Sequence, residues 1–214
     1  MKALITGFDA FGGLTFNPSE ELIKKLVRKR PLDSFEEIEA LVLPTKYIAA
    51  ATMVIDKIIS SAPDCVLMFG LATDASSLRL ERFALNIADA EAPDNAGDIR
   101  LAHTIVPEGP LAYETQVNLR LVAALLSQRQ FQVAISNHAG SYVCNYVYYR
   151  VMHHVTQTAA GVRVLFVHMP LSAPSTERQV FFDGDLAYFW QAARIILRVI
   201  RDNINAVGET AASA

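Results

Sequence analysis

The composition of this 214-residue chain excludes several classes of protein, because 52% hydrophobic and 19% charged residues supply a well-packed core and rule out a disordered chain. The 19 Lys and Arg against 22 Asp and Glu leave a net charge of −3, with no basic field to hold a phosphate backbone or an anionic membrane. We therefore expect a globular protein without a nucleic-acid or membrane partner.

The first residues do not have the pattern of an export signal. The apolar run before Gly7 is too short for the hydrophobic region of a secretory signal. Nowhere does the chain offer the roughly 20 uncharged apolar residues that a membrane span needs. Only two cysteines are present, too few for a disulfide-stapled secreted scaffold. The sequence thus predicts a soluble, cytoplasmic protein.

Short apolar runs alternate along the chain with amphipathic segments of helical period, which is typical of a sheet covered by helices on both faces. Strands are predicted at residues 3–6, 38–43, 65–69, 133–136 and 162–168. Helices are predicted at residues 19–29, 46–60, 113–127, 143–157 and 185–203. We predict one α/β domain over residues 1–214, a three-layer α/β/α fold with a twisted, mixed, mostly parallel sheet and a short flexible tail from about residue 207.

The segment 94–110 is predicted to be a long connection or arm. It contains Gly97, Pro107, Gly109 and Pro110 and few periodic apolar residues.

The mean hydropathy of the whole chain is positive, at +0.25. Much apolar surface must therefore be covered, either in a large core or in a subunit interface.

The two cysteines lie in different surroundings. Cys65 lies in the apolar run DCVLMFG, where a cysteine acts as a small hydrophobic residue. Cys144 follows a polar, glycine-containing turn and falls in the first turn of a predicted helix. The free N–H groups and the dipole at that position stabilise a thiolate and an oxyanion. Cys144 is therefore either a nucleophile or a packing residue at a strand–helix junction.

A nucleophilic thiol needs a base, and His168 ends the apolar strand VRVLFVH at an edge where α/β enzymes place their sites. It is either this base or a hydrogen-bonded histidine at a strand end. Glu81 is the candidate carboxylate to orient the imidazole, unless it forms a surface ion pair with Arg79 or Arg82. We expect Cys144 and His168 to lie along one sheet edge, because His168 ends its strand and Cys144 follows the preceding one.

Four segments stand in an order and at spacings that match one known family. They are TGFDAFGGLTFNPS, LERFALNIADAEAPDNAG, AGSYVCNYVYY and FVHMP. Over residues 1 to about 170 they resemble the opening loop, glutamate segment, nucleophile segment and histidine strand of pyroglutamyl peptidase I, a family of cysteine peptidases that remove N-terminal pyroglutamate. The resemblance implies a phosphorylase/hydrolase-like fold, a homotetramer, and neither a cofactor nor a metal.

The same resemblance implies roles for individual residues. Cys144 is implied to be the nucleophile, His168 the general base and acid, and Glu81 the residue that orients His168. Phe8 and Phe11 are implied to line the pyroglutamyl pocket, although aromatic residues after a first strand also serve as core. We add Tyr142, two residues before Cys144, as another candidate wall of the pocket.

Two departures bear on the substrate. Leu71 stands where the family has a glutamine associated with lactam recognition, and Glu91 stands where it has an arginine before Ile-Pro-Asp-Asn. A carboxylate in that place opposes an oxyanion. The sequence predicts a cysteine peptidase that hydrolyses N-terminal pyroglutamyl residues through a Cys-His-Glu triad and an acyl-thioester. The alternatives are a related cysteine amidohydrolase acting on another small acyl-amide substrate, or a catalytically weak binding protein.

Overall fold

Strands and helices alternate along most of the chain. The computed structural model describes residues 1–28, 35–158, 161–171 and 183–212. The strands are β1 (Lys2–Phe8), β2 (Glu37–Leu43), β3 (Cys65–Leu71), β4 (Leu78–Leu85), β5 (Ala88–Ala90), β6 (Arg100–His103), β7 (Ala112–Glu114), β8 (Val133–His138) and β9 (Arg163–Met169). The helices are α1 (Pro18–Arg28), α2 (Tyr47–Ser61), α3 (Leu119–Gln128), α4 (Val143–Thr158) and α5 (Asp183–Ala212).

The main sheet is mixed, and its parallel part contains the first three strands. The order β2-β1-β3-β9 is parallel throughout, as expected for strands connected by helices. Beyond β9 lies β4, which runs antiparallel to it. Both β8 and β7 pair with β4, the first parallel and the second antiparallel. Strand β4 therefore runs opposite to β9 and to the parallel strands on the other side of β9.

Two hydrophobic clusters cover the two faces of the sheet. One joins β-strand residues to α1, α3 and α5, and the other joins the alternate strand residues to α2 and α4. All seven residues of β3 are buried, because helices cover this central strand on both sides. The predicted three-layer α/β/α fold with a mixed sheet is confirmed.

The structure corrects several predicted elements. Residues 112–114 form β7, and α3 begins only at Leu119, where the Asn118 side chain accepts a hydrogen bond from the Leu121 N–H and caps the helix. The segments 78–85 and 88–90 are strands that the sequence pattern did not predict, and the predicted connection 94–110 contains β6, which pairs with β5. Pairing across the sheet overrides weak local alternation here.

The helix boundaries differ mainly at the end of the chain. Helix α5 runs to Ala212 and not to residue 203, because the alanine-containing segment after it has no proline to stop it. Residue 29, the predicted end of α1, lies outside the described residues. In the part of the chain that the structure describes, no helix is both long enough and apolar enough to cross a membrane.

We expect Gly7→Ala to destabilise the protein, because β1 and α1 approach closely at Gly7. A Cβ there would lie 2.5 Å from the Ser19 carbonyl oxygen and 2.8 Å from Ile23 Cγ1. Since the backbone oxygen cannot move away cheaply, the free energy of unfolding should fall by about 1–3 kcal/mol in urea denaturation. The exposed control Ser127→Ala should stay within about 0.5 kcal/mol of the wild type. Equal stability of the two variants would contradict this close contact.

Candidate active site

A cavity of about 420 Å³ opens where β1, β3 and β9 end. Seven of the eight predicted site residues line it: Cys144, His168, Glu81, Phe8, Phe11, Tyr142 and Leu71. The eighth, Glu91, is exposed and is not part of the lining. The structure thus brings together residues that are far apart in the sequence.

The centre of the cavity holds a buried hydrogen bond between an imidazole and a carboxylate. His168 Nδ1 lies 2.8 Å from Glu81 Oε1, and Glu81 is only 1% exposed. A carboxylate accepts hydrogen bonds, so Nδ1 carries the proton and Nε2 remains for another partner. Glu81 forms no ion pair with Arg79, which binds Asp74 instead. The surface ion pair considered from the sequence is therefore wrong for Arg79.

The sheet register brings these two side chains together. Glu81 lies opposite Phe166 in the antiparallel pair of β4 and β9, two residues from His168. Residues two apart on a strand share a face, so Glu81 and His168 are diagonal neighbours. The Phe166 ring also packs against the imidazole, with 4.9 Å between the ring centroids. The imidazole is therefore held from two directions.

Cys144 is the second residue of α4, and its sulfur lies against the sheet beside His168. The first hydrogen bond within the helix runs from the Tyr146 N–H to the Tyr142 carbonyl, so the amide N–H groups of residues 143–145 have no acceptor inside the helix. A Cβ built on Gly70 would lie 3.0 Å from Cys144 Sγ, and Gly70 is the register partner of His168. The missing side chain at Gly70 leaves room for the thiol.

The protonated form of His168 is favoured in this environment. Burial of the imidazole lowers its pKa, but the hydrogen bonds with Cys144 and Glu81 outweigh burial and raise the pKa of His168 to about 9. Cys144 and Cys65 are both free, so no disulfide competes for the thiol. Cys65 is fully buried, and burial raises the pKa of its thiol, as expected of a packing residue.

Cys144 and His168 come together by a different route from the one expected from the sequence. Strand β8, which precedes Cys144, is not a neighbour of β9 and runs opposite to it, because β4 lies between them. The two residues therefore do not follow adjacent parallel strands. The loop after β8 and the start of α4 bring the thiol back over the sheet to Gly70.

Asn145, next to Cys144, fastens the start of α4 to the end of β4. Its side chain accepts a hydrogen bond from the Leu85 N–H at 2.9 Å. It also donates to the carbonyl oxygens of Leu85 at 2.9 Å and Ile87 at 2.8 Å. Asn145 is fully buried, so these three bonds replace all contact with water. Asn145 was not among the predicted site residues, although a polar residue directly after Cys144 in an otherwise apolar helix start was a signal for it.

One half of the cavity is apolar and aromatic. Phe8 at the end of β1, Phe11 in the loop after it, Leu71 at the end of β3, and Tyr142 form its walls. Phe8 is only 1% exposed and belongs to the core as well. The rings of Phe11 and Tyr142 lie 6.2 Å apart, and the Tyr142 hydroxyl donates to the Pro93 carbonyl oxygen at 2.8 Å. The hydroxyl of Tyr142 therefore points away from the cavity, and its ring faces the cavity.

The other half is polar, and the sequence analysis did not identify it. It contains Arg79, Asp74, Ser136 and His138, from β4, from β8 and from the turn after β3. Arg79 lies directly opposite His168 in the β4–β9 pair, so both side chains are on the same face of the sheet. The alternation of Leu78, Arg79, Leu80 and Glu81 was a signal that could have revealed this shared face.

Within the described ranges, 1–28, 35–158, 161–171 and 183–212, no group of three or more His, Cys, Asp or Glu side chains is arranged to hold a metal ion. The groups in the cavity are instead a thiol, an imidazole and a buried carboxylate. Such an arrangement, with the base oriented by a third residue, is typical of cysteine hydrolases.

Comparison with known proteins identifies the family. The model of the pyroglutamyl peptidase family matches residues 1–190, and the chain belongs to this family. Pyrrolidone-carboxylate peptidase 1 of Caldanaerobacter subterraneus subsp. tengcongensis is 36% identical over 172 residues, which are 79% of this chain and 82% of the relative.

Solved structures agree with this assignment over nearly the whole chain. The pyrrolidone carboxyl peptidase from Thermococcus litoralis has a TM-score of 0.85 at 29% identity, covering 96% of this chain and 95% of its own. That of Fervidobacterium islandicum AW-1 has a TM-score of 0.84 at 31% identity, covering 94% and 99%. The α/β fold of these peptidases is thus the fold of this chain.

We expect Asn145→Ala to lower the free energy of unfolding by about 2–4 kcal/mol, because it removes three hydrogen bonds between a fully buried amide and the partly buried backbone at and just after the end of β4. Urea denaturation measures the change. The same substitution at the helix cap Asn118 is the matched control, and there the loss should be only about 1 kcal/mol. A loss at Asn145 no larger than that at Asn118 would contradict the role of the buried amide.

Proposed function

We propose that this chain is a cysteine peptidase that removes an N-terminal pyroglutamyl residue from peptides, with Cys144 as nucleophile, His168 as general base and acid, and Glu81 as the residue that orients His168. The buried hydrogen bond between His168 and Glu81, beside a thiol at a helix start, carries this proposal. Membership of the pyroglutamyl peptidase family supports the choice of substrate.

In the reactive state the proton of the Cys144 thiol has passed to His168 Nε2, so that a thiolate lies beside a protonated imidazole, the form of His168 that its raised pKa favours. The thiolate sulfur then attacks the pyroglutamyl carbonyl carbon and forms a C–S bond, while the carbonyl oxygen gains the negative charge. The free N–H groups at the start of α4 are suitable donors to this oxyanion, and the helix dipole adds to their effect. These donors reduce the need for a cationic side chain at the oxyanion.

In the next step the C–N bond breaks, and His168 gives its proton to the leaving amine, so that the shortened peptide departs with a neutral N-terminus. The acyl group remains on Cys144 as a thioester. A water molecule gives a proton to His168 and attacks the thioester carbonyl, which releases pyroglutamate and restores the thiol. Glu81 holds the imidazole in the orientation and tautomer that both transfers need.

The aromatic half of the cavity is the proposed acyl pocket. A five-membered lactam is flat, and the rings of Phe8, Phe11 and Tyr142 offer it flat walls. The proposed partners are peptides, with neither a nucleic acid nor a membrane involved. We further propose that the chain functions as one domain in the cytoplasm, as a homotetramer and without a cofactor.

A second candidate function keeps the same chemistry but changes the acyl group. Leu71 puts an apolar side chain on the wall of the acyl pocket, where a lactam offers an N–H and a carbonyl oxygen. This observation favours a cysteine amidohydrolase for a less polar acyl group. Glu91, by contrast, is exposed and outside the cavity lining, so its negative charge gives no reason to propose a catalytically weak binding protein.

The first test is hydrolysis of pyroglutamyl-aminocoumarin. The wild type should release the fluorophore, and Cys144→Ser should lower kcat/KM at least about 1,000-fold, because a serine hydroxyl is not ionised by this imidazole. Cys65→Ser is the matched control, and its kcat/KM per folded molecule should equal that of the wild type. Full activity in Cys144→Ser would refute the assignment of the nucleophile, and no release by the wild type would favour the other acyl substrate.

A second test is the pH dependence of kcat/KM. Activity needs protonated His168, so it should fall as pH rises through the pKa of His168 at about 9. Glu81→Gln removes one of the two groups that raise this pKa and leaves the hydrogen bond with Cys144 in place. The fall in activity should therefore move to lower pH, towards the ordinary histidine value of about 6.5. An alkaline limb at the same pH in both proteins would show that Glu81 does not act on His168.

A further inference from the structure

The polar half of the cavity contains an ion pair that the proposed reaction does not use. Arg79 NH2 lies 3.0 Å from Asp74 Oδ2, and Arg79 NH1 lies 3.3 Å from Asp74 Oδ1. The guanidinium thus holds both oxygens of one carboxylate. NH2 also donates to the Asp74 carbonyl oxygen at 3.3 Å. The pair lies at the cavity wall, beside His168 in the sheet register.

The two members of the pair differ in exposure. The Arg79 side chain is 31% exposed and rises from a strand, whereas the Asp74 side chain is 75% exposed and lies in the turn after β3. An ion pair this exposed contributes little to stability. Asp74 is therefore replaceable as a partner of Arg79, whose backbone position is set by the pairing of β4 with β9.

The position of the pair relative to the thiol indicates which part of a substrate it meets. Along the sheet, the order β1-β3-β9-β4 puts Phe8 and Leu71 on one side of His168 and Arg79 on the other. Phe11 follows β1 in the chain, and its ring lies 6.2 Å from that of Tyr142. If the acyl group occupies the aromatic side, the leaving amine at His168 points towards Arg79. The carboxyl carbon of a leaving amino acid is two bonds of about 1.5 Å from that amine nitrogen. Arg79, directly opposite His168, is suitably located to meet it.

We infer that Arg79 binds the free carboxylate of the residue that follows the acyl group, taking it in place of Asp74, so that the preferred substrates are dipeptides. This inference rests on the proposed function. The planar guanidinium binds a carboxylate through two parallel hydrogen bonds, and Asp74 occupies that binding mode in the structure. In a longer peptide an amide stands in the same place and offers Arg79 only a neutral carbonyl oxygen.

The experiment compares kcat/KM for pyroglutamyl-alanine, pyroglutamyl-alaninamide and pyroglutamyl-alanyl-alanine, following the released amine by chromatography. The wild type should prefer the free acid over both other substrates by at least about tenfold, the range of a hydrogen-bonded charge pair. Arg79→Gln should reduce this ratio to about one. Arg79→Lys should give an intermediate ratio, because a lysine keeps the charge but not the planar fork.

Two further variants sharpen the comparison. Asp74→Asn should increase the preference for the free acid, because it removes the competing carboxylate from Arg79. Arg120→Gln, on the exposed surface of α3, is the matched control and should leave the ratio at the wild-type value. The ratio of two substrates does not depend on the fraction of folded enzyme, so partial unfolding of a variant does not affect the result.

Equal rates for the acid and the amide in the wild type, or an unchanged ratio in Arg79→Gln, would overturn the inference. Pyroglutamyl-aminocoumarin has no carboxylate, so its cleavage tests the proposed function separately. Cleavage of the coumarin without any preference for the dipeptide would reject the role of Arg79 alone. Failure to cleave any of these substrates would reject both proposals.

Discussion

The buried hydrogen bond between Glu81 and His168 is the constraint on which the arrangement of this site depends. A carboxylate that is 1% exposed is tolerable only when it is paired, and its partner is an imidazole on another strand. The pairing requires β4 to lie antiparallel beside β9 in one register, because a shift by one residue would turn Glu81 to the opposite face of the sheet. The antiparallel direction of β4 beside β9 thus makes the hydrogen bond between Glu81 and His168 possible.

The position of the thiol follows from packing around this pair. Gly70 leaves the space in which the Cys144 sulfur lies, and Asn145 fastens the same turn of α4 to the backbone at the end of β4. The thiol of Cys144, the imidazole of His168 and the carboxylate of Glu81 are therefore held by a helix and two strands rather than by loops. Rigid elements of this kind keep reacting groups within hydrogen-bond reach without further reorganisation.

The cavity also presents two different surfaces, one on each side of His168. The aromatic side offers flat apolar walls, whereas the side formed by β4 and β8 presents Arg79 and Asp74. The arginine stands on a strand, and its carboxylate partner stands on an exposed turn. A substrate with one flat, weakly polar end and one anionic end matches this division better than a long, uniformly polar peptide does.

Hydrophobic period and local position were enough to predict the α/β class, a candidate nucleophile at a helix start, and a histidine at a strand end. Segment 78–85 was not predicted as a strand, and the order of β8, β4 and β9 was not foreseen. The three-dimensional packing was needed to show that Glu81 pairs with His168, that Arg79 lines the cavity, and that Glu91 lies outside it. Each of these outcomes depends on strand register or on long-range contacts, which local patterns do not encode.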